Sequence, residues 1–573
     1  MDVDAFVAAS DAYPIPTSPD GAPIHFSYGT AGFRTIGDVL ASTVFRCGAV
    51  AAIRSSVTGR ATGMVVTASH NPERDNGVKL VDCDGGMLPV AWERHAEAIA
   101  NAPTHDALRA AIELAQTPAE AHLPQHNHPP PHAPTPPPPH VFLARDTRPT
   151  GPTLAAAAKA GAEAIGAEVT DCGLMTTPQL HYVVYASYRN LPCDESDYFA
   201  RLARGFGNMV QGVAGGTHDA STIVVDCANG VGAAKLAPLR TALGADCVLT
   251  LDPRNYKYGR PGSLNNEVGA DFVQKEKTCP VHGGFDGVGA DARCVSVDGD
   301  ADRLVYFRKI NTARKGESDE SNDDSQVELF DGDKIAALMA TRVADLLKRC
   351  VPDAFDPPLR VGVVQTAYAN GASTAYVRDT LGLQVACTAT GVKFLHPEAE
   401  KFDVGVYFEA NGHGTAVFSD QTLTRLDDAI AMASSDEGDG EESDQCAALK
   451  EMKAMTEAIN PAVGDALSGI LVVEAILLAK GWGLDEWGEM YADLPSKQVK
   501  VMVKDRAVIT TTNAERIAVT PNGEFIFVCV RAIRLTDACI WCIQGCKRRS
   551  TRLLPSMGRT RGLSRGRVGR RTS

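Results

Sequence analysis

The sequence predicts an α/β protein of several domains, on three observations. Short apolar runs of strand length alternate with stretches of helical periodicity, giving three β-α-β-type units. Each unit sends a polar, glycine-containing loop off a strand end, where open α/β sheets place their ligands. And 573 residues exceed one hydrophobic core, suiting about three to five domains.

Composition narrows the class. Hydrophobic residues make up 44% and charged residues 22%, ordinary values for a globular protein in water. Fifteen dispersed cysteines fit a reducing cytoplasm better than a disulfide framework. Residues 1–16 are acidic and lack a secretory pattern, and the apolar run at 463–478 is broken by Asp465 and Glu474, so it reads as a core helix. No membrane partner is expected. The net charge is −14; residues 547–573 carry ten Lys/Arg and no acid, leaving −24 on residues 1–546. A body that acidic argues against nucleic acid, and an anionic substrate then needs a local basic pocket or a metal.

Taken in order, Y-G-T-A-G-F-R at 28–34 is a small-residue turn ending in Arg34, whose guanidinium can fork onto a phosphate. Helical spacing over 39–60 leads to a strand at 63–66, which delivers T-A-S-H-N-P at 67–72. Pro72 stops the strand, Asp75, Asn76 and Gly77 read as a second turn, and a strand resumes at 78–81. Ser69 is thus expected at a strand end, rigid and exposed, where a phosphoryl carrier can sit; alone, such a serine is ordinarily structural. Residues 117–140 form a Pro/His-rich insertion without a packed core. Its histidines (His122, His126, His128, His132, His140) do not converge on one face and favour no metal site.

A strand at 141–144, an alanine-rich helix at 154–166 and a strand at 167–173 complete one β-α-β unit. A strand at 222–226 with a Gly-rich turn at 227–232 opens the next. The strand at 294–297 then meets D-G-D-A-D-R at 298–303. Asp298, Asp300 and Asp302 crowd three carboxylates onto one turn, hard oxygen donors suited to one Mg²⁺. A calcium EF-hand is excluded, because its sixth and twelfth positions are Arg303 and Lys309. Arg303 can hold an anion beside the metal. Acidic loops at 314–324 and 434–444 flank a third unit: a helix after Asp331, a strand at 361–365, a turn at 388–393 and a strand at 402–408. The last strand delivers E-A-N-G-H-G at 409–414, a loop able to read vicinal hydroxyls or an amide.

These segments, with R-D-T-R-P at 145–149, T-T-P-Q-L-H-Y at 176–182 and V-V-Q-T-A-Y-A-N-G at 363–371, resemble the α-D-phosphohexomutase superfamily, in the branch acting on N-acetylglucosamine phosphates. The resemblance spans about residues 25–521. It implies three consecutive mixed α/β/α sandwich domains, at 1–185, 186–303 and 304–455, and a smaller C-terminal α+β domain at 456–573. It implies an isomerase of the UDP-N-acetylglucosamine supply, with the sugar phosphate as partner, working as a monomer or weak dimer. Ser69 would carry the phosphoryl group and bind Mg²⁺ together with Asp298, Asp300 and Asp302, with a hexosamine 1,6-bisphosphate as activator. Ser69, His70, Arg34 and Lys393 would form the catalytic set. Glu409, Ala410, Asn411, Gly412, His413 and Arg303 would bind substrate. Two other readings are an aspartyl phosphatase of the haloacid-dehalogenase type, with Asp298 as nucleophile, and an inactive sugar-phosphate binder.

The pattern departs after about 521. An R-P-S-G-T-E-type loop for the distal phosphate is expected there; the sequence instead has a cysteine cluster (Cys529, Cys539, Cys542, Cys546) and an Arg/Gly/Ser tail. The spacing of those cysteines suits zinc only loosely. A translated intron or a shifted frame is the expected origin.

Overall fold

The computed structural model describes residues 1–30, 32–117, 138–211, 221–310, 326–351, 354–435 and 443–495, and short strand segments between 510 and 540. Residues 1–494 form one compact unit and 495–573 a second. The Pro/His-rich stretch lies outside the described residues except at its ends, as do most of the two acidic loops and the side chains of the C-terminal cysteines.

Three mixed sheets organise the first unit. The first takes the order β1-β3-β2-β4-β5, with β1 Phe33–Ile36, β2 Thr62–Val66, β3 Asp75–Val81, β4 His140–Arg145 and β5 Glu168–Leu174. The second runs β10-β9-β8-β6-β7, with β6 Ser221–Asp226, β7 Leu249–Arg254, β8 Arg293–Val297, β9 Leu304–Lys309 and β10 Val327–Phe330. The third is β12-β11-β13-β14, with β11 Val361–Thr366, β12 Gln384–Thr388, β13 Val404–Phe408 and β14 Gly414–Phe418. In each, one strand is parallel to a neighbour on one side and antiparallel on the other: β2 between β4 and β3, β8 between β6 and β9, β13 between β11 and β14. The loop leaving that strand carries, respectively, the serine, the carboxylates and the E-A-N-G-H-G segment.

Helices cover the sheets. Ala41–Thr58 and Gly151–Ala164 bury apolar residues with β2–β4, and Gly332–Arg349, Ala466–Lys480 and Glu195–Val210 do so with the second and third sheets. Ala466–Lys480 is apolar all round and buried along most of its length, as the interrupted run at 463–478 predicts. Asp331 caps Gly332–Arg349 by accepting from the N–H groups of Asp333 and Lys334.

The structure corrects several expectations. Asp75, Asn76 and Gly77 are not a turn: they open β3, paired with Ile36, Thr35 and Arg34, because β1 supplies an edge partner that local sequence does not reveal. The second sheet does not end at 303, since β9 and β10 return along β8. Val392 and Lys393 begin the helix Val392–Ala399 rather than finishing a turn, and His140 starts β4. Ser69 is buried, not exposed, at 1% of its accessible surface.

Candidate active site

β2 is buried along its whole length and runs straight into the serine loop. Ser69 adopts φ +52°, the left-handed region that a serine rarely occupies without support. Its N–H donates to Thr67 Oγ1 at 2.9 Å, and that hydroxyl donates to Asp146 Oδ2 at 2.7 Å. Arg148, also buried, is held by Asp146 at 3.0 Å and spreads over the loop's carbonyls: Nη2 donates to Ser69 O (2.8 Å) and Asn71 O (2.9 Å), Nη1 to Pro72 O (2.6 Å) and Asp75 O (2.7 Å). The planar guanidinium satisfies four converging acceptors at once, which an ammonium cannot do.

The turn between β8 and β9 comes down on that loop. A Cβ on Gly299 would lie 2.7 Å from Ser69 O, so only glycine permits the approach. Ser69 Oγ donates to Asp298 Oδ2 at 2.6 Å and lies 3.4 Å from Asp302 Oδ1. The three carboxylates divide their oxygens. Asp298 Oδ1 accepts the N–H groups of Asp302 (3.0 Å) and Arg303 (3.2 Å). Asp300 Oδ2 accepts from Thr177 Oγ1 (2.6 Å) and Lys79 Nζ (2.9 Å), and Asp302 Oδ2 from Lys79 Nζ (2.7 Å). Asp300 Oδ1 is buried without a partner. One oxygen from each of Asp298, Asp300 and Asp302 lies within 4.8 Å of the others. Hard oxygens, one of them orphaned, beside a serine hydroxyl fit Mg²⁺.

Charge follows geometry. Burial and the neighbouring carboxylates, Asp302 first, hold Asp298 well above the usual carboxylate range. Burial penalises the Asp300 and Asp302 charges most, and Asp302 adds to it at Asp300, but Lys79 and Thr177 together at Asp300, and Lys79, His413 and Arg303 together at Asp302, hold both low. Burial and the Arg303 cation push His70 down to about 3, so its imidazole is neutral, with Nδ1 3.5 Å from Ser69 Oγ. Burial and Arg303 likewise lower Arg34, which flanks the three aspartates from β1. Arg303 itself lies 3.3 Å from Asp271 and 3.7 Å from Asp302.

The E-A-N-G-H-G loop closes the β13–β14 hairpin and docks on the metal loop. Leu304 N–H donates to Gly412 O at 3.2 Å, and Gly332 N–H to Ala410 O at 3.3 Å. Gly412, at φ +86°, has no room for a side chain: a Cβ would lie 1.8 Å from Leu304 O. Glu409 Oε1 accepts Gly391 N–H (3.0 Å), and Asn411 Nδ2 donates to Glu409 Oε2 (3.3 Å). His413 points back, its buried ring placing Nδ1 3.7 Å from Asp302 Oδ1. Lys393 pairs with Glu93 at 2.7 Å and lines a cleft with Tyr28, Lys79, Thr177, Asp302 and His413.

Of the expected residues, Asp302, Lys393 and His413 line that cleft; Ser69, His70 and Arg303 lie against the aspartates, with His413 turned toward them, and Glu409 and Asn411 sit in the third sheet's loop. Sequence reasoning missed Lys79, Thr67, Thr177, Asp146 and Arg148. Lys79 carried a usable signal, because a lysine inside the apolar strand Val78–Val81 must find a carboxylate when buried.

Known proteins match this arrangement. Residues 43–106 and 133–193 match the family described as phosphoglucomutase/phosphomannomutase, alpha/beta/alpha domain I, which defines the class as phosphohexomutase. Residues 331–482 match phosphoacetylglucosamine mutase AMG1, domain III. The phosphoacetylglucosamine mutase of Oryza sativa subsp. japonica is 45% identical over 88% of this chain and 86% of its own. A crystal structure of an N-acetylglucosamine-phosphate mutase, described as a member of the alpha-D-phosphohexomutase superfamily, in its product complex, superposes with a TM-score of 0.78 at 35% identity, covering 91% of this chain and 90% of that one. The Aspergillus fumigatus N-acetylphosphoglucosamine mutase, solved with GlcNAc-6P and magnesium, gives 0.75 at 39% identity over 91% and 89%. A serine-to-alanine form of that enzyme has been solved with glucose 1,6-bisphosphate. The chain belongs to the phosphoacetylglucosamine mutase family, which are isomerases.

Proposed function

We propose that the chain interconverts N-acetylglucosamine 6-phosphate and N-acetylglucosamine 1-phosphate through a phosphoserine at Ser69. The observation carrying this reading is the buried Ser69 hydroxyl, 2.6 Å from Asp298 and 3.4 Å from Asp302. The phosphoserine gives its phosphoryl group to O1 of the 6-phosphate: the P–Oγ bond breaks, the P–O1 bond forms, and the proton lost from the O1 hydroxyl is balanced by one gained at Ser69 Oγ, which gives it up again when the phosphoryl group returns. The 1,6-bisphosphate turns in the cleft. Its O6 phosphoryl then returns to Ser69 Oγ, O6 takes up a proton, and the 1-phosphate leaves. A hexosamine 1,6-bisphosphate from solution primes the serine.

Ser69, Asp298, Asp300 and Asp302 would hold one Mg²⁺, which supplies charge neutralisation for phosphoryl transfer. Arg34 and Arg303 supply fixed positive charge for phosphate oxygens. His70, driven down to about 3, is a poor base and serves as a neutral hydrogen-bond partner. Glu409 and Asn411, already joined by a hydrogen bond, present side-chain oxygen and nitrogen for the sugar hydroxyls or the acetamide. Lys393 stands in the cleft to meet the second phosphate.

The aspartyl-phosphatase reading asks Asp298 to attack phosphorus. Here one of its oxygens is committed to two backbone N–H groups and the other to the Ser69 hydroxyl. The described cysteines are free thiols, and no helix among the described residues is long and apolar enough to cross a membrane. We place the activity in the cytoplasm, in a single chain or weak dimer. A coupled assay of N-acetylglucosamine 6-phosphate isomerisation, with bisphosphate activator, tests the reading. Turnover that disappears in Ser69→Ala supports it; full activity in that variant refutes it.

A further inference from the structure

The second sheet reaches across to the serine through a device that the chemistry above does not use. Asp226, fully buried at the end of β6, ties down both ends of the loop 255–269: Oδ1 accepts from Asn255 Nδ2 at 2.8 Å and Oδ2 from Gly269 N–H at 2.7 Å. Oδ2 also accepts the Ser296 hydroxyl from β8 at 2.8 Å, so the loop is fixed to the strand that presents the aspartates. At its inner turn Asn265 adopts φ +54°, and its N–H donates to Ala228 O at 3.1 Å. Its Nδ2 then donates to Ser69 O at 2.8 Å and to Asn71 O at 3.1 Å.

We infer that Asn265 is a positioning residue for Ser69, holding the serine loop in its left-handed conformation from the opposite domain. Arg148 grips the same two carbonyls from the first sheet's side. Ser69 O is therefore bracketed by donors from two sheets, while Gly299 closes over it from the metal loop. A left-handed serine is strained and persists where its surroundings over-determine it. Asn265 ties that strained residue to the strand bearing the metal ligands, so Oγ and the carboxylates keep one spacing as the serine gains and loses its phosphoryl group. The inference rests on Ser69 being the phosphoryl carrier.

The test uses the full chain and three readouts: kcat and KM for N-acetylglucosamine 6-phosphate, the rate of phosphate label entering Ser69 from labelled glucose 1,6-bisphosphate, and Mn²⁺ affinity by calorimetry. Asn265→Gly keeps the positive φ and deletes the donor. At saturating Mn²⁺ it is expected to lower kcat and the labelling rate together by tenfold or more, with KM within twofold of the parent. Asn265→Asp also tolerates the backbone and lacks the donor; it carries the test if the glycine variant does not fold. Parental kcat and labelling in either variant would overturn the assignment. So would a loss of Mn²⁺ affinity with kcat and labelling fully restored at saturating metal, which would put the effect on the metal loop. Ser69→Ala run alongside separates the two ideas: if it still turns over, the phosphoserine reading fails whatever Asn265 does.

Discussion

At the residue scale the site depends on how single carboxylate oxygens are used. Asp300 gives one oxygen to Lys79 and Thr177 and leaves the other buried and bare. Asp300→Asn should weaken Mg²⁺ binding by at least tenfold, about 1.4 kcal/mol, measured by titrating activity and calorimetric heat against the metal; an unchanged titration would remove Asp300 from the ligand set. Gly412→Ala should destabilise the fold by several kcal/mol, of the order expected for overpacking plus strain, because the new methyl meets Leu304 O at 1.8 Å. Chemical denaturation would show it as a shifted midpoint. The aspartates were legible in the sequence, since a D-x-D-x-D turn carries its chemistry locally; Ser69 stood out only beside the other motifs, because a turn serine alone is ordinarily structural. Arg148 and Asn265 were not, since their partner Ser69 lies 79 and 196 residues away in sequence; the burial of Lys79 signalled a carboxylate, but not that it would be Asp300, 221 residues on. His413 shows the intermediate case, placed in the right loop by its neighbours while the direction of its ring, toward Asp302, is a tertiary fact.

At the scale of elements, the three sheets place their chemistry on the same kind of loop, the one that turns a parallel strand back into an antiparallel partner. The strands themselves were readable from short apolar runs. Their pairing was not, which is why the start of β3 looked like a turn and why the second sheet seemed to stop at Arg303: a local pattern does not say which edge a strand will find. The helix Thr177–Tyr188 ties this architecture to pH. It begins in a capping box on Thr176, contributes Thr177 to Asp300 and buries His181, whose Nδ1 lies 2.7 Å from Gly85 O. Burial pushes His181 down to about 4. An unfolded histidine titrates near 6.5, so between those values the unfolded chain binds a proton that the folded one refuses. Stability is full above about pH 6.5 and falls as pH drops toward 4, by about 1.4 kcal/mol per pH unit from this group. Thermal melts from pH 7.5 to 5 should show the loss, and His181→Gln should flatten it; an equally steep decline in the variant would clear His181 of the effect.

For the whole molecule, the first unit draws the Ser69 loop, the Asp298–Asp302 turn and the E-A-N-G-H-G loop from three sheets of one chain. On the proposed reading Mg²⁺ would bind only once they are assembled, so at a hundred times its dissociation constant it should add about 2.7 kcal/mol to stability. Chelation should lower the melting temperature of the parent, and that of Asp300→Asn by about half as much or less, since a site tenfold weaker keeps about 1.4 kcal/mol at that concentration. The resemblance implies an R-P-S-G-T-E-type loop on the distal phosphate, and the sequence after 521 lacks it; charge-assisted contacts of that kind are worth roughly 1.5–3 kcal/mol each. We expect KM for the sugar phosphate to be raised by tenfold or more, and to fall when 522–573 are replaced by the matching segment of a relative; steady-state kinetics of the chimaera would show whether it does. The central claim is narrower than any of these: Ser69 carries the phosphoryl group. Incubation with labelled glucose 1,6-bisphosphate, acid quench and peptide mapping tests it directly. Acid-stable label on the peptide containing Ser69, absent in Ser69→Ala, is the predicted result; acid-labile label on the peptide containing Asp298 would contradict it.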